Sequence, residues 1–378
     1  MTILISLLLI IYLFILGTLI LGWQKVLSRT TPATDGQSKS ICVVIPFRNE
    51  EASLESLIES LKGISYPKDR FQVIFVNDHS TDQSPNMVQK GIDGQASFSL
   101  LSLPDGVTGK KNALTLGVQT THADIVATTD ADCILPPAWL NAINDSFNDS
   151  KTKLAFGGVK LTPNKSFFSH LQAVEFVSLI GSAASTNALG FFTMCNGANL
   201  SFHREIFLQV NGYEGNMEIP SGDDEFLARK VLNKYPNGVR FLNSAGAVVS
   251  TKFQPTWSQF LNQRLRWAGK WKHNNNFASR GLAVFILLSQ CCFVLLLAGM
   301  IVGRFNLWFG IALMGCKMLL ESFFLLKVSN FLNALWSWPA FLFLQFSYPF
   351  YVIVVGILAQ SGTYEWKGRT LSHKRQRP

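Results

Sequence analysis

IleCysValValIleProPheArgAsnGlu, residues 41–50, decides how the rest of the chain is read. An apolar run of strand-forming residues leads straight into a polar turn, as in a strand buried on both faces. The unit recurs. Phe71–Val76 ends in AsnAspHisSer (77–80), Phe98–Leu103 follows, and Asp124–Thr129 runs into AspAlaAsp (130–132). Helical runs at 50–62, 83–91 and 110–119 separate these strands. Asn49 has the side chain to cap the first helix, with Glu50 and Glu51 in its first turn. Alternating strands and helices predict an α/β fold with a mainly parallel, Rossmann-like sheet. In such sheets ligands bind beyond the carboxyl ends of the strands, where Arg48–Asn49, Asn77–Asp78 and Asp130–Asp132 fall. After residue 150 the pattern is less regular.

Outside this region the chain is apolar. Residues 2–22 are long enough to cross a bilayer, which takes about 20 apolar residues. They carry no Lys or Arg at the start and no small-x-small site follows, which disfavours a cleaved signal peptide. Lys25 and Arg29 place the C-terminal end of this segment in the cytosol by the positive-inside rule. Three more apolar stretches occupy 281–303, 306–327 and 331–359. Lys317 and Glu321, four apart, share a helix face. They either line a lipid or acceptor path or neutralise each other between packed helices. Three crossings would leave the tail outside, whereas Lys367, Arg369, Lys374, Arg375 and Arg377 favour the inside. A re-entrant or interfacial stretch would reconcile the two.

The net charge of +9 does not point to nucleic acid. Residues 24–279 hold 24 Lys+Arg against 22 Asp+Glu, while residues 280–378 hold 9 against 2. The excess sits at the membrane edge and in the tail, not on a clustered basic face. The six cysteines show no C-x-x-C or zinc-ligand spacing, and buried reduced thiols are expected. Neither G-x-G-x-x-G nor G-x-x-x-x-G-K-[ST] is present, which weighs against dinucleotide and P-loop chemistry.

Several polar groups have the types that transfer from a nucleotide donor needs. Asp130 and Asp132, at a strand end, either ligate a divalent cation and touch a ribose or form a solvated turn. Asp78 either bonds a base edge and ribose hydroxyls or makes an Asx turn. Lys110 and Lys111 open a helix after Gly109 and either meet an anion or form an exposed basic turn. GlyAspAspGlu (222–225) opens a helical run. One of Asp223, Asp224 and Glu225 is expected to face the site as a base, since adjacent helix residues diverge; an acidic helix start explains the composition equally well. GlnArgLeuArgTrp (263–267), with Lys270 and Trp271 beyond it, is either an interfacial amphipathic helix or the source of an arginine for a pyrophosphate leaving group. His203 is a base by type, but it leads into a helix and is set aside.

Taken together, these residues closely resemble the membrane-bound family 2 glycosyltransferases of GT-A fold, the group of ceramide glucosyltransferases and of cellulose, chitin and hyaluronan synthases. The resemblance covers about 41–270. It implies that Pro46, Asn49, Glu50 and Asp78 contact the nucleoside; Lys110, from its helix-start position, and Asp130, from its strand-end position, are expected at the same nucleotide site. It implies that Asp130 and Asp132 bind manganese or magnesium and that Asp224 is the catalytic base. Gln263, Arg266 and Trp267 match the Q-x-x-R-W motif near donor and acceptor. Asp223 is expected at the acceptor or diphosphate, and Arg266 to stabilise the departing diphosphate. Asn77 and His79 depart from the Asp and Gly that many relatives carry. The expected chain is an anchor (1–23), a linker (24–40), a GT-A catalytic domain (41–279), a membrane region of two or three spans (280–360) and a basic tail (361–378). The expected reaction is inverting transfer from a nucleotide sugar, a UDP-sugar first, to a lipid or glycan hydroxyl, at a membrane and with no nucleic acid. The enzyme alternatives are a processive polysaccharide synthase and a polyprenyl-phosphate transferase. The non-enzyme alternative, an inactive membrane scaffold, sits poorly with a complete set of acidic and basic site residues.

Overall fold

The computed structural model describes residues 2–29, 37–219, 221–269, 277–359, 363–366 and 369–372. Lys270, Trp271, Lys367, Lys374, Arg375 and Arg377, named above for charge or ring position, lie outside the described residues. In chain order the helices are α1 (Thr2–Leu27), α2 (Leu54–Lys62), α3 (Ser84–Gly91), α4 (Lys110–Thr120), α5 (Trp139–Ser146), α6 (Phe167–Ala188), α7 (Arg204–Gln209), α8 (Asp223–Lys234), α9 (Trp257–Gly269), α10 (Phe277–Ile301), α11 (Leu307–Leu332) and α12 (Trp338–Leu358). The strands are β1 (Ile41–Phe47), β2 (Phe71–Asn77), β3 (Phe98–Ser102), β4 (Ile125–Thr128), β5 (Cys133–Ile134), β6 (Leu154–Phe156), β7 (Val159–Thr162), β8 (Leu200–His203), β9 (Val239–Phe241), β10 (Val249–Lys252), β11 (Thr363–Trp366) and β12 (Arg369–Ser372).

The chain forms two compact units. The sheet unit comprises Val26–Thr162 and Gly190–Lys252; the helix unit comprises Met1–Lys25, Pro163–Leu189 and Phe253–Pro378. Segments 163–189 and 253–269 pack within the helix unit.

In the sheet unit, seven strands run in the order β3-β2-β1-β4-β8-β6-β9. β1 pairs with β2 and with β4 in parallel, and β8 is antiparallel to both neighbours. Every residue of β1 is buried, as a strand covered on both faces requires. The chain turns from the β2–β3 side to the β4 side at β1, so a crevice opens where β1 and β4 end. Pro46 sits in this central strand without loss. Ile41 N donates to Arg70 O and Phe47 O accepts from Asp78 N, so odd residues face β2 and Pro46 faces β4. Pairing with β4 stops at Val44, so the missing proline N–H costs no ladder bond. A second sheet, β5-β10-β7, supports the acidic turn after β4.

The first helix differs from its expected start. α2 begins at Leu54, and Ser53 N and Leu54 N both donate to Glu50 O in a turn. Asn49 does not cap it. Its φ is 51°, and the N–H groups of Asn49, Glu50 and Glu51 donate to Ser80, Ser84 and Asp82 side chains instead.

In the helix unit, α1, α10, α11 and α12 are each long and apolar enough to cross a membrane. Lys317 is buried among them and Glu321 is largely enclosed beside it. Lys317 Nζ lies 2.9 Å from Glu321 Oε2 and donates to Gln345 Oε1 at 2.6 Å. Tyr12 Oη donates to Glu321 Oε1 at 2.8 Å, and Gln345 Nε2 to Glu321 Oε2 at 2.9 Å. Of the two sequence readings, this is the mutual neutralisation that an intramembrane charge requires.

Candidate active site

The loops after β1 and β2 are sewn together by side chains. Arg48 Nη1 donates to Asp78 O at 2.8 Å and to His79 O at 3.0 Å. Asn49 Oδ1 accepts from Thr81 N at 2.8 Å, and Glu50 N donates to Ser84 Oγ at 2.8 Å. Asp78 is 3% exposed, and its Oδ2 accepts from Gly109 N at 3.0 Å, which fastens β2 to the start of α4. Both departures from the family pattern have local explanations. Asn77 Oδ1 accepts from Ser80 N at 2.9 Å, as a carboxylate oxygen would. His79 has φ 53°, a conformation glycine adopts freely, and its ring Nε2 lies 3.0 Å from Val107 O.

The chemistry gathers around Lys110. Its Nζ lies 2.7 Å from Asp130 Oδ1 and 3.2 Å from Asp223 Oδ2. Asp224 Oδ2 accepts from Gly197 N at 3.1 Å, and its Oδ1 from Glu225 N at 2.7 Å. A Cβ at Gly197 would lie 3.1 Å from Asp223 Oδ2, 3.3 Å from Lys110 Nζ and 3.6 Å from Asp224 Cβ. Glycine is therefore what lets these groups close on one spot. Burial alone would pull the Lys110 ammonium down. The charges of Asp130, Asp223 and Asp224 more than offset it, and the net shift is upward.

This corrects one expectation. Asp223 and Asp224, predicted to diverge because they are adjacent on a helix, both reach the neighbourhood of Gly197. They occupy the first turn of α8 after Gly222 at φ 81°, where no preceding turn restricts the side chains. Glu225 turns away as expected. It is 6% exposed and pairs with Arg229 Nη2 at 2.7 Å.

Lys111 does not join the cluster. It is 6% exposed and its Nζ donates to Asn216 O at 2.6 Å and Ile219 O at 2.8 Å, pinning the loop that precedes α8. His203 is also elsewhere. It pairs with Ile125 at the start of β4, whereas Thr128, beside the acidic turn, pairs with Leu200. Its ring packs edge-on to Phe147 at 4.8 Å. Burial and the Lys153 charge lower its pKa.

Among the described residues there is no group of three or more His, Cys, Asp or Glu placed to hold a metal. A nucleotide-bound magnesium or manganese needs only one or two carboxylates, with phosphate and water oxygens filling the remainder. The acidic turn meets that need: the Asp130 side chain is 41% exposed and Asp132, two residues on, is half-buried. The oxygen donors fit a hard divalent cation.

Gln263, Arg266 and Trp267 lie on α9 in the helix unit. Trp267 meets the Phe176 ring at 6.2 Å, and Gln263 Oε1 accepts from Arg264 Nη1 at 2.5 Å. Sequence reasoning passed over Arg264, which is 5% exposed and pairs with Glu175, 6% exposed. A buried arginine inside an amphipathic motif was the signal. It also missed Tyr213, 2% exposed, whose hydroxyl finds no hydrogen-bond partner among the described residues. Burial first, then the charge of Asp223, pushes the Tyr213 pKa well up. No spacing pattern marks this tyrosine in the sequence.

The model of glycosyl transferase family 2 matches residues 42–209. A probable glycosyltransferase, YdaM, of Bacillus subtilis is 24% identical over 314 residues, 80% of this chain and 72% of that protein. A β-monoglucosyldiacylglycerol synthase of Synechocystis is 25% identical over 194 residues, 51% of this chain and 36% of that protein. A poly-β-1,6-N-acetyl-D-glucosamine synthase of Staphylococcus aureus is 24% identical over 232 residues, 61% of this chain and 54% of that protein. The chain thus spans about half the synthase's length and about a third of the lipid enzyme's. Among solved structures, a mannosyltransferase of Pyrobaculum calidifontis in complex with GDP-Man and Mn2+ superposes with a TM-score of 0.62 at 16% identity, covering 94% of this chain and 98% of that one.

Proposed function

Because this chain carries a family 2 glycosyl transferase domain, with the GT-A fold and the enzyme class of that family, we propose that it transfers a sugar from a nucleotide-sugar donor to a hydroxyl of a lipid or glycolipid at a membrane. The observation that carries this reading is the convergence of Lys110, Asp130, Asp223 and Asp224 at the carboxyl end of the sheet. A nucleoside diphosphate needs positive charge as it leaves, and an acceptor hydroxyl needs a carboxylate. This cluster has both.

Pro46, Asn49, Glu50 and Asp78 shape the nucleoside end. Hydrogen bonds between the two loops preorganise this end, which lowers the ordering cost of binding. Asp130 and Asp132 would hold the divalent cation, which neutralises charge on the departing diphosphate. Lys110 adds a fixed ammonium on the same side. Asp224 takes the proton from the acceptor hydroxyl. The oxygen then forms its bond to the anomeric carbon as the carbon–oxygen bond to the diphosphate breaks, and the bonding pair leaves with the phosphate. Single displacement inverts the anomeric centre. Arg266, with Gln263 and Trp267, is assigned to the diphosphate and acceptor side.

The relatives named for glucosyldiacylglycerol and for poly-N-acetylglucosamine support a lipid and a glycan acceptor respectively. The four candidate spans among the described residues leave little room for a polymer channel, which favours the lipid. The test is nucleotide-sugar turnover by the purified chain with a diacylglycerol, a glucosyldiacylglycerol or no acceptor. Acceptor-dependent release of nucleoside diphosphate supports the reading. No release from UDP-glucose, UDP-N-acetylglucosamine or GDP-mannose under any of these conditions would sink it.

A further inference from the structure

We propose that Arg264 is a positioning residue for the Q-x-x-R-W motif, a role that rests on the reading of Arg266 above. Arg264 Nε donates to both oxygens of Glu175 at 3.1 Å, and its Nη2 donates to the same carboxylate. Nη1 donates to Gln263 Oε1. The guanidinium lies over the Trp267 ring at 4.4 Å and the Phe260 ring at 4.5 Å. Tyr351 of α12 closes the arrangement, its hydroxyl donating to Glu175 Oε1 at 3.0 Å. Arg264 therefore touches two motif residues directly and ties α9 to α6 and α12. Two residues along a helix is a rotation of about 200°, so fixing Arg264 inward fixes Arg266 on the opposite face. An apolar pair of similar volume would often hold two helices as well as a buried ion pair does. The forked guanidinium adds a single orientation of α9.

The experiment uses the full chain in detergent, with whichever of UDP-glucose, UDP-N-acetylglucosamine and GDP-mannose the wild type turns over. Arg264→Met and Glu175→Gln should each lower kcat about 100-fold, the usual cost of a small misplacement. Manganese-dependent binding of UDP or GDP should stay unchanged. Arg266→Met should be as poor, and the double Arg264→Met/Arg266→Met variant no poorer than Arg266→Met alone. Arg264→Lys and Tyr351→Phe, which keep charge or ion pair, should give intermediate kcat. Wild-type kcat in Arg264→Met, or in both milder variants where that one misfolds, overturns the proposal, as does strict additivity in the double variant. A fully active Arg266→Met instead overturns the assignment of Arg266 itself.

Different contacts carry a second inference: α12 slants into the membrane, bends and stays on the near side rather than crossing it. α11 runs from a far end, where Leu313 and Met314 pack with Ile5, Leu9 and Leu296, to a near end, where Phe331 meets Trp23 at 5.4 Å. α12 starts six residues after α11 ends. Gln345 reaches mid-depth, bonded to Lys317, which lies 5.3 Å from the Phe293 ring. A straight crossing would carry Gly356, roughly 16 Å further on, towards Met300. A Cβ on Gly356 would instead lie 3.4 Å from Leu287, nearer the start of α10 than Phe293 is. Tyr351 has by then reached Glu175 and Arg264, and β11 packs against α9. The far-end cluster contains no α12 residue among the described residues. Pro349, inside α12, is where such a bend has a cause.

The β11–β12 hairpin then shares a side with the C-terminal end of α1, where the basic tail favours it. Single cysteines at Leu27, Arg304 and Ser372, in a chain with its native cysteines replaced, report this with a membrane-impermeant thiol reagent on sealed vesicles. Leu27→Cys and Ser372→Cys should label alike and Arg304→Cys oppositely. Should cysteine replacement destroy the fold, an epitope after Pro378 read by antibody on vesicles of both orientations gives the same answer. Ser372 or the epitope on the side of Arg304 overturns the inference.

Discussion

Gly197 is the residue on which the acidic cluster turns. A methyl there meets Asp223 Oδ2 at 3.1 Å and Lys110 Nζ at 3.3 Å, so Gly197→Ala should cut turnover at least tenfold. Thermal unfolding should move little, because these side chains can yield into the site. Asp224→Asn should lower kcat by about 10²–10⁴-fold, the range for a positioned base, with nucleotide affinity nearly unchanged by calorimetry. Asp223 reaches Lys110, and through it Asp130, so Asp223→Asn should raise the donor KM more than it lowers kcat. If Asp223→Asn is instead the dead variant and Asp224→Asn is active, the base is Asp223. Tyr213 offers a sharper contrast. A buried hydroxyl without a partner destabilises, so Tyr213→Phe should raise the unfolding temperature. A simultaneous fall in kcat/KM would mean that the hydroxyl serves a ligand; unchanged activity would assign it to packing. The depressed pKa of His203 favours its neutral form in the fold. Its contribution is present above the ordinary histidine pKa of about 6.5 and lost as pH falls below it. His203→Gln should blunt that acid sensitivity and leave turnover intact.

At the level of elements, the loops after β1 and β2 act as one piece. His79, at φ 53°, tests how rigid that piece is. His79→Gly should be near neutral, since lost strain offsets the lost contact with Val107 O. His79→Val should cost about 1–2 kcal/mol by chemical denaturation, because a branched side chain is poorly tolerated at positive φ. The strands of this half were legible in the sequence because apolar runs with polar ends leave one reading for a doubly covered parallel sheet. The start of α2 was not. Asn49 has the right residue type for a cap, and only the partners of its neighbours' N–H groups, on a loop some thirty residues away, show that it serves another purpose. The convergence of Asp223 and Asp224 was likewise hidden, because helix periodicity governs a helix interior and these two stand at its first turn. Lys110 and Lys111 were indistinguishable as a pair; the structure sends one to the acids and the other to carbonyls of the α7–α8 loop.

For the whole molecule, the proposed cation makes a simple prediction. Excess chelator should abolish transfer, and manganese or magnesium should restore it, with Asp132→Asn inactive but folded. Full activity in chelator would remove the metal from the reaction. The division into units was less legible, because α6 lies where the alternating pattern has already lapsed and its partners lie far downstream. Phe324 and Val328 of α11 approach α6 this closely only because Gly181 has no side chain, and Glu175 waits for Arg264 and Tyr351. On a ribosome the order matters. α6 emerges long before α9, α11 and α12 have been made, so its buried face has no home during most of synthesis. A chain that stalls or is cut after Lys252 would hold every strand of the seven-stranded sheet and still expose that face. Such a nascent chain is a natural client for a chaperone or a protease. Premature stop codons late in the gene should therefore remove the protein from the cell rather than leave a soluble transferase behind.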